Sequence, residues 1–195
     1  MLKKIVFSAV GFIFGFCIAA NAADPKITMD IKYGDCYEYS TLTCKNRTNG
    51  SLMWSKNLDP LPATELTRSQ FIGINNGYAY VLHGGTVKLL DPETGAVKKE
   101  NTDFGGASAL WVFSSTGKLY MCGYYGPDFY VIDKDGKTVS RVVNIDSRYY
   151  WPESMKFSTG NNLVITYGSK EGAEEGEYAV EFDVTKYFGK IEKPG

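Results

Sequence analysis

Two aromatic runs hold the side chains best suited to recognition. They are Tyr124-Tyr125-Gly126-Pro127-Asp128-Phe129-Tyr130 and Arg148-Tyr149-Tyr150-Trp151-Pro152-Glu153. Tyr and Trp combine a flat apolar face with a polar tip, so Tyr124, Tyr125, Tyr149, Tyr150 and Trp151 suit a sugar face, a peptide or a protein partner. Packing between neighbouring sheets is the competing use of the same rings. Chemistry by transfer of protons or acyl groups has less to work with. His83 is the single histidine, which excludes a multi-histidine metal site and weakens any Ser-His or Cys-His mechanism. Beside Gly84-Gly85, at the end of a strand, it reads as a turn residue. Asp133-Lys134-Asp135-Gly136 begins like a calcium loop, but Asn144 stands where an EF-hand needs its bidentate Glu. An Asp that caps a turn and a Gly that takes positive φ account for that stretch. Glu171 to Glu177 holds four carboxylates in seven residues, the pattern of a solvated hairpin loop. No P-loop, dinucleotide fingerprint or CxxC spacing occurs. These residues assign no catalytic group, no metal and no cofactor.

The elements that position the aromatic runs are short alternating stretches. Asn76 to Gly95 reads as a strand (Tyr78 to His83), a turn at Gly84-Gly85, a second strand (Thr86 to Leu90) and the turn Asp91-Pro92-Glu93-Thr94-Gly95. A further run, Ala96 to Lys99, follows. The same order recurs downstream. First strands are expected at Phe71 to Ile74, Leu110 to Phe113 and Met155 to Phe157. Second strands fall at Tyr78 to Leu82, Leu119 to Cys122 and Leu163 to Tyr167. Third strands fall at Val87 to Leu90, Phe129 to Ile132 and Tyr178 to Phe182. Fourth strands fall at Ala96 to Lys99, Thr138 to Asn144 and a short tail near Tyr187 to Ile191. Upstream, Ile27 to Tyr33, Cys36 to Cys44 and Ser51 to Leu58 give an incomplete first unit. The period is roughly 40–45 residues with four strands per unit, the spacing of propeller blades. One such sheet cannot bury both faces alone and needs neighbours stacked on it. The expected fold is therefore all-β: β-propeller-type repeats of four-stranded blades, about four units, as a closed small ring or a partial propeller. Ile27 to Tyr33 is a candidate to pair with the last unit and close the ring, and a second copy is the other way to complete it.

Composition sets the compartment and narrows the partners. Residues 1–22 form a targeting segment: Lys3 and Lys4, an apolar run from Ile5 to Ala20, then Ala20-Asn21-Ala22 before a cut at Ala23. The apolar run is shorter than the roughly 20 residues that span a bilayer, so no membrane span is expected after cleavage. Phe16 precedes Cys17, which argues against lipidation. The expected address is periplasmic or secreted, with residues 23–195 as one repeat domain. Without Lys3 and Lys4 the 21 basic residues become 19 against 22 acidic ones, a net charge of −3. That balance disfavours a nucleic-acid partner, which needs clustered Lys and Arg. Cys36, Cys44 and Cys122 remain as disulfide candidates in an oxidising compartment. A hairpin about Ser40 would let Cys36 face Cys44. A single strand would hold them about 26 Å apart at ~3.3 Å per residue, leaving Cys122 as partner for one of them.

Tyr78-Ala79-Tyr80-Val81, Leu90-Asp91-Pro92-Glu93-Thr94-Gly95 and Thr48-Asn49-Gly50-Ser51-Leu52-Met53-Trp54 together resemble the blades of quinoprotein-like (PQQ-like) propeller repeats, which read strand, Leu-Asp-x-x-Thr-Gly, then a closing Trp. Only the first unit keeps that tryptophan, as Trp54. The resemblance covers most of the mature chain and implies fold more than activity, since a fold hosts many functions. The expectation is an exported, non-catalytic binding or scaffold module for a protein, peptide or glycan of the cell envelope. The opposing reading is a small quinoprotein-like oxidoreductase or a hydrolase fragment.

Overall fold

The computed structural model describes residues 24–63, 68–105, 109–123, 128–143, 148–159 and 162–187. The expected targeting segment, residues 1–22, lies outside them.

Four antiparallel sheets follow one another in chain order. The first holds β1 (Pro25–Tyr33), β2 (Tyr37–Asn46), β3 (Leu52–Asn57) and β4 (Leu61–Pro62). Thr41 sits opposite Asn57 of β3 and Glu38 opposite Leu61 of β4. β4 therefore continues the β3 edge past Asp59-Pro60, where proline lacks a ladder donor. The second sheet is β5 (Ser69–Asn75), β6 (Tyr78–His83), β7 (Thr86–Leu90) and β8 (Val97–Asn101). The third is β9 (Ala109–Phe113), β10 (Leu119–Gly123), β11 (Asp128–Ile132) and β12 (Thr138–Val143). The fourth has three strands, β13 (Tyr149–Phe157), β14 (Leu163–Lys170) and β15 (Tyr178–Phe182), followed by one helical turn, α1 (Val184–Tyr187). This is the expected all-β, propeller-type stack of up-and-down sheets.

The period of two along each strand explains how the sheets stack. In β6, Ala79 and Val81 join Leu42, Cys44 and Ile27 in the cluster between the first and second sheets. Tyr80 and Leu82 point the other way, onto Leu119, Met121 and Ile132 of the third sheet. In β10 the same division sends Tyr120 and Cys122 onto Leu163, Ile165 and Tyr167 of the fourth. The central strands of the middle sheets are buried on both faces, so they read as near-continuous apolar runs. The first sheet is buried on one face only. Along β2, Glu38, Ser40, Leu42 and Cys44 are buried, while Tyr37 and Tyr39 are exposed, as the alternation predicts.

Side-chain bonds one repeat long tie the first three sheets together. The Trp54 indole N–H donates to the Pro92 carbonyl at 2.9 Å. Its ring lies where a Cβ on Gly95 would stand 2.8 Å away, and Gly95 has φ +71°. Only glycine meets both conditions at that turn. The Asn76 amide donates to Gly117 O at 2.8 Å, the Trp111 indole to Ile72 O at 3.0 Å, and the Asn101 amide to Gly136 O at 2.9 Å. At the third junction Tyr120 lies edge-on to Phe157 at 5.2 Å, within a mixed aromatic and aliphatic cluster.

Three expectations change. β1 does not reach for the last sheet: it pairs with β2 along its whole length, from Pro25 opposite Asn46 to Tyr33 opposite Glu38. A tight hairpin through Gly34, Asp35 and Cys36 makes that neighbour the nearest one in sequence. The strand expected at Met155 to Phe157 starts earlier and takes in most of the stretch Arg148 to Glu153. Tyr149 to Glu153 are the opening of β13, paired through Tyr149 with Lys170 and Tyr150 with Ser169. The expected last strand near Tyr187 to Ile191 begins as α1, with the remainder outside the described residues. Among the described residues, the three apolar clusters join consecutive sheets and none joins the fourth to the first.

Candidate functional site

The aromatic run at the start of β13 divides into a packed ring and two exposed ones. Tyr149 belongs to the cluster between the third and fourth sheets. Its ring centroid lies 5.3 Å from Tyr167 and 6.5 Å from Tyr178. The Arg148 guanidinium and the Lys170 ammonium stand 5.8 and 5.6 Å from that ring, within cation–π range. Tyr150 and Trp151 are different, with 45% and 48% of their surfaces exposed. Trp151 also has φ 56°, a left-handed backbone that a bulky residue rarely takes. The ladder shifts register between Pro152 and Ser154, so Glu153 is the extra residue of a β-bulge. Its carboxylate lies over the bare Cα of Gly168, 2.6 Å from where a Cβ would stand. The bulge and the left-handed Trp151 together leave the indole exposed, with the exposed Glu153 two residues further along the strand. Backbone strain of this kind persists where surrounding structure enforces it, and it concentrates at binding sites. Tyr124 and Tyr125 lie outside the described residues.

A second exposed aromatic group sits at the opposite end of the stack. Tyr33, Tyr37 and Tyr39 flank the β1–β2 hairpin and all are exposed. Tyr37 and Tyr39 stand 6.4 Å apart, and Tyr39 covers Gly34. The alternation of β2 was the signal for Tyr37 and Tyr39; Tyr33 had none of its own.

The thiols are kept apart. β2 runs unbroken from Tyr37 to Asn46, so Cys36 stands just before its start and Cys44 near its far end. Cys44 is buried between the first and second sheets and Cys122 between the third and fourth. All three thiols are free. Burial pushes the Cys122 thiol up to about 12, which holds it protonated and unreactive.

A buried polar cluster at the first junction was not foreseen. Glu38, Ser40, Ser69 and His83 are all buried. Glu38 Oε1 accepts the Ser69 backbone N–H at 2.7 Å and the Ser40 hydroxyl at 3.1 Å. The Ser69 hydroxyl lies 2.9 Å from His83 Nδ1. Burial, followed by Lys88, lowers the His83 pKa, while Asp59 and Glu38 oppose the shift. A neutral ring shares this hydrogen bond with the Ser69 hydroxyl in a direction set by its tautomer. Ser-His contact at this distance is the geometry of an activated nucleophile, but neither residue is open to a substrate. The arrangement pins β5 and β6 to β2. Glu38 Oε2 is buried without a partner. Nothing in the sequence joins residues 31 and 45 positions apart, because the pairing depends on how the two sheets stack.

The charged turns are structural. Asp133 Oδ1 accepts the backbone N–H groups of Asp135 and Lys137, and Lys99 from the neighbouring sheet reaches Asp135 at 3.3 Å. Glu171, Glu174, Glu175 and Glu177 are exposed in the β14–β15 loop. Among the described residues, no group of three or more His, Cys, Asp or Glu stands together where it could hold a metal ion, and no helix is long and apolar enough to cross a membrane.

No family model and no curated protein sequence matches the chain. Among solved structures, it is similar to BamB from Moraxella catarrhalis, with 17% identity, a TM-score of 0.45, and coverage of 70% of this chain and 39% of that one. A streptogramin B lyase matches with 13% identity and a TM-score of 0.46, over 80% of this chain and 54% of that one. A virginiamycin B lyase from Staphylococcus aureus matches with 16% identity and a TM-score of 0.44, over 88% and 61%. The chain spans 39% to 61% of the length of these structures. The fold assignment rests on the strand pairing of the chain itself.

Proposed function

We propose that the chain is an exported, non-catalytic propeller-type module that binds a protein, peptide or glycan of the cell envelope. The observation that carries this reading is Trp151, held in a left-handed backbone with its indole exposed beside exposed Tyr150. A packing role would place the ring inward, as it does for Tyr149. Glu153 next to this platform offers an acceptor for hydroxyl or amide groups of a ligand stacked on the rings. The targeting segment 1–22, with cleavage before Ala23, supports export to the periplasm or beyond. The quinoprotein-like repeat resemblance belongs to the same reading, as a source of fold without the cofactor.

The test is binding to immobilised glycans and peptides by the mature protein and by the Tyr150→Ala/Trp151→Ala double variant. Lost binding at an unchanged melting temperature supports the platform. Equal binding by both proteins, or loss of folding in the variant, sinks it. N-terminal sequencing of the mature protein checks export separately.

A further inference from the structure

The three turns that follow the third strands are built alike. Asp91 Oδ1 accepts the N–H groups of Glu93 and Thr94, Asp133 Oδ1 those of Asp135 and Lys137, and Asp183 Oδ1 that of Thr185. After the first two turns the chain adds a fourth strand: β8 pairs antiparallel with β7, and β12 with β11. After Asp183 comes α1 instead, with Tyr187 perpendicular to Phe182 at 5.6 Å. Among the described residues, no strand lies on the outer edge of β15.

That edge is also the least defended. Edge strands are commonly blunted by charge, which discourages pairing with another chain. β8 carries Lys98, Lys99 and Glu100, and β12 carries Arg141. β15 reads Tyr-Ala-Val-Glu-Phe, a short β-prone run whose single charge, Glu181, accepts the Ser158 hydroxyl. Val180 joins the apolar cluster together with Val139 and Val142 of β12, so a strand laid against β15 finds apolar surface on its inner side. The exposed loop with Glu171, Glu174, Glu175 and Glu177 leads directly into Tyr178, placing four carboxylates at one end of the edge.

We propose that the outer edge of β15 captures an extended peptide of a partner protein, antiparallel like β8 and β12. The peptide alternates apolar residues and carries Lys or Arg at its C-terminal end, where the acidic loop meets it. Main-chain bonds supply the affinity in such strand addition, and the alternating side chains and the charge supply the specificity. This surface is separate from the Tyr150–Trp151 platform and stands or falls without it.

The probes are two acetylated peptides about eight residues long, with the same Val-Thr alternation, one ending in Lys-Lys and the other in Glu-Glu. Hydrogen exchange of the mature protein is followed with each. The basic peptide slows exchange at Tyr178–Phe182 and binds about tenfold tighter than the acidic one. Glu174→Lys/Glu175→Lys, at exposed positions, reverses the preference while leaving folding intact. Equal binding of the two peptides, or protection at β8 or β12 instead, overturns the proposal. So does dimerisation of the chain through this edge without peptide. Protection that arises only in a chain ending at Tyr187 assigns the edge to the chain's own tail and overturns it as well.

Discussion

The second and fourth sheets are cut from the same repeat but put their side chains to opposite uses. The second is buried on both faces, has all four strands and exchanges hydrogen bonds with both neighbours: Trp54 to Pro92 on one side, Asn76 to Gly117 on the other. Its single positive-φ residue that is not glycine, Asn76, spends its amide on that second bond, and Asn tolerates the left-handed region well. Among the described residues, the fourth sheet has neighbours on one face, three strands, and a positive-φ tryptophan. Strain in the second sheet is tied to a structural bond, whereas in the fourth it exposes an aromatic ring. A repeat packed on both faces is held to the pattern by two neighbours, and one that packs on a single face among the described residues is held by one.

The contrast is broken most severely by emptying the core of the complete sheet. Leu89 is fully buried and also packs under Gly136 of the next turn. Leu89→Ala lowers stability by about 2–5 kcal/mol, through lost transfer energy and the cavity left behind. Met155→Ala in the half-buried part of the fourth sheet costs about 1–2 kcal/mol. Urea unfolding of both variants measures the difference, and equal losses would erase the distinction between the two sheets. Trp54 tests the tethers rather than the core. Trp54→Ala removes the bond to Pro92 and the ring over Gly95, for about 2 kcal/mol, while Trp54→Phe keeps the ring and loses about 1 kcal/mol with the bond. A Trp54→Phe variant as stable as the parent would mean that the bond carries no net energy.

The first junction buries a histidine, and so adds a dependence on pH near neutrality that the amide and indole bonds of the second junction do not supply. The folded protein holds His83 below its ordinary pKa, chiefly by burial. The unfolded chain therefore binds the proton more readily, and stability falls as pH drops below the unfolded value of about 6.5. His83→Gln keeps a polar partner for Ser69 and flattens the stability profile between roughly pH 7 and pH 5. The carboxyls of Asp91, Glu100 and Asp183 are held low by hydrogen bonds. Their contribution disappears only in more acid solution, below about pH 4, so the two windows do not overlap. Denaturant midpoints measured across this range decide the matter, and an unchanged slope in His83→Gln would remove histidine from the account.

Legibility in the sequence followed the range of the forces involved. β6 and β7 lie where the alternation and the Gly84-Gly85 turn place them, because a hairpin is decided within a dozen residues. The split of β2 into a buried even face and an outward odd face was equally legible. What escaped depends on partners distant in sequence. β13 begins at Tyr149 because β14 extends to Lys170 to meet it, although Pro152 is a residue that strands admit only at edges or bulges. The bulge at Glu153 absorbs that proline. Glu38, Ser69 and His83 meet only after two sheets stack, and no spacing announces the contact. The split among Tyr149, Tyr150 and Trp151 turns on one backbone angle, which residue types alone do not encode.

That angle supplies the smallest expected effect and the sharpest division between structure and recognition. A tryptophan at φ 56° costs of order 1 kcal/mol relative to a residue that enters the left-handed region freely. Glycine is such a residue. Trp151→Gly removes the exposed indole and relaxes the backbone, so stability stays level or rises by up to about 1 kcal/mol, while ligand binding at the platform is lost. Tyr149→Ala, two residues earlier, does the reverse. It empties a position between Tyr167 and Tyr178 and lowers stability by about 1–3 kcal/mol, with binding reduced only as far as the fold is weakened. A fourth sheet that spends stability on recognition gives opposite signs for these two variants. If Trp151→Gly is also destabilised, the indole is a packing residue like its neighbour, and the fourth sheet differs from the second only in having, among the described residues, a neighbour on one face.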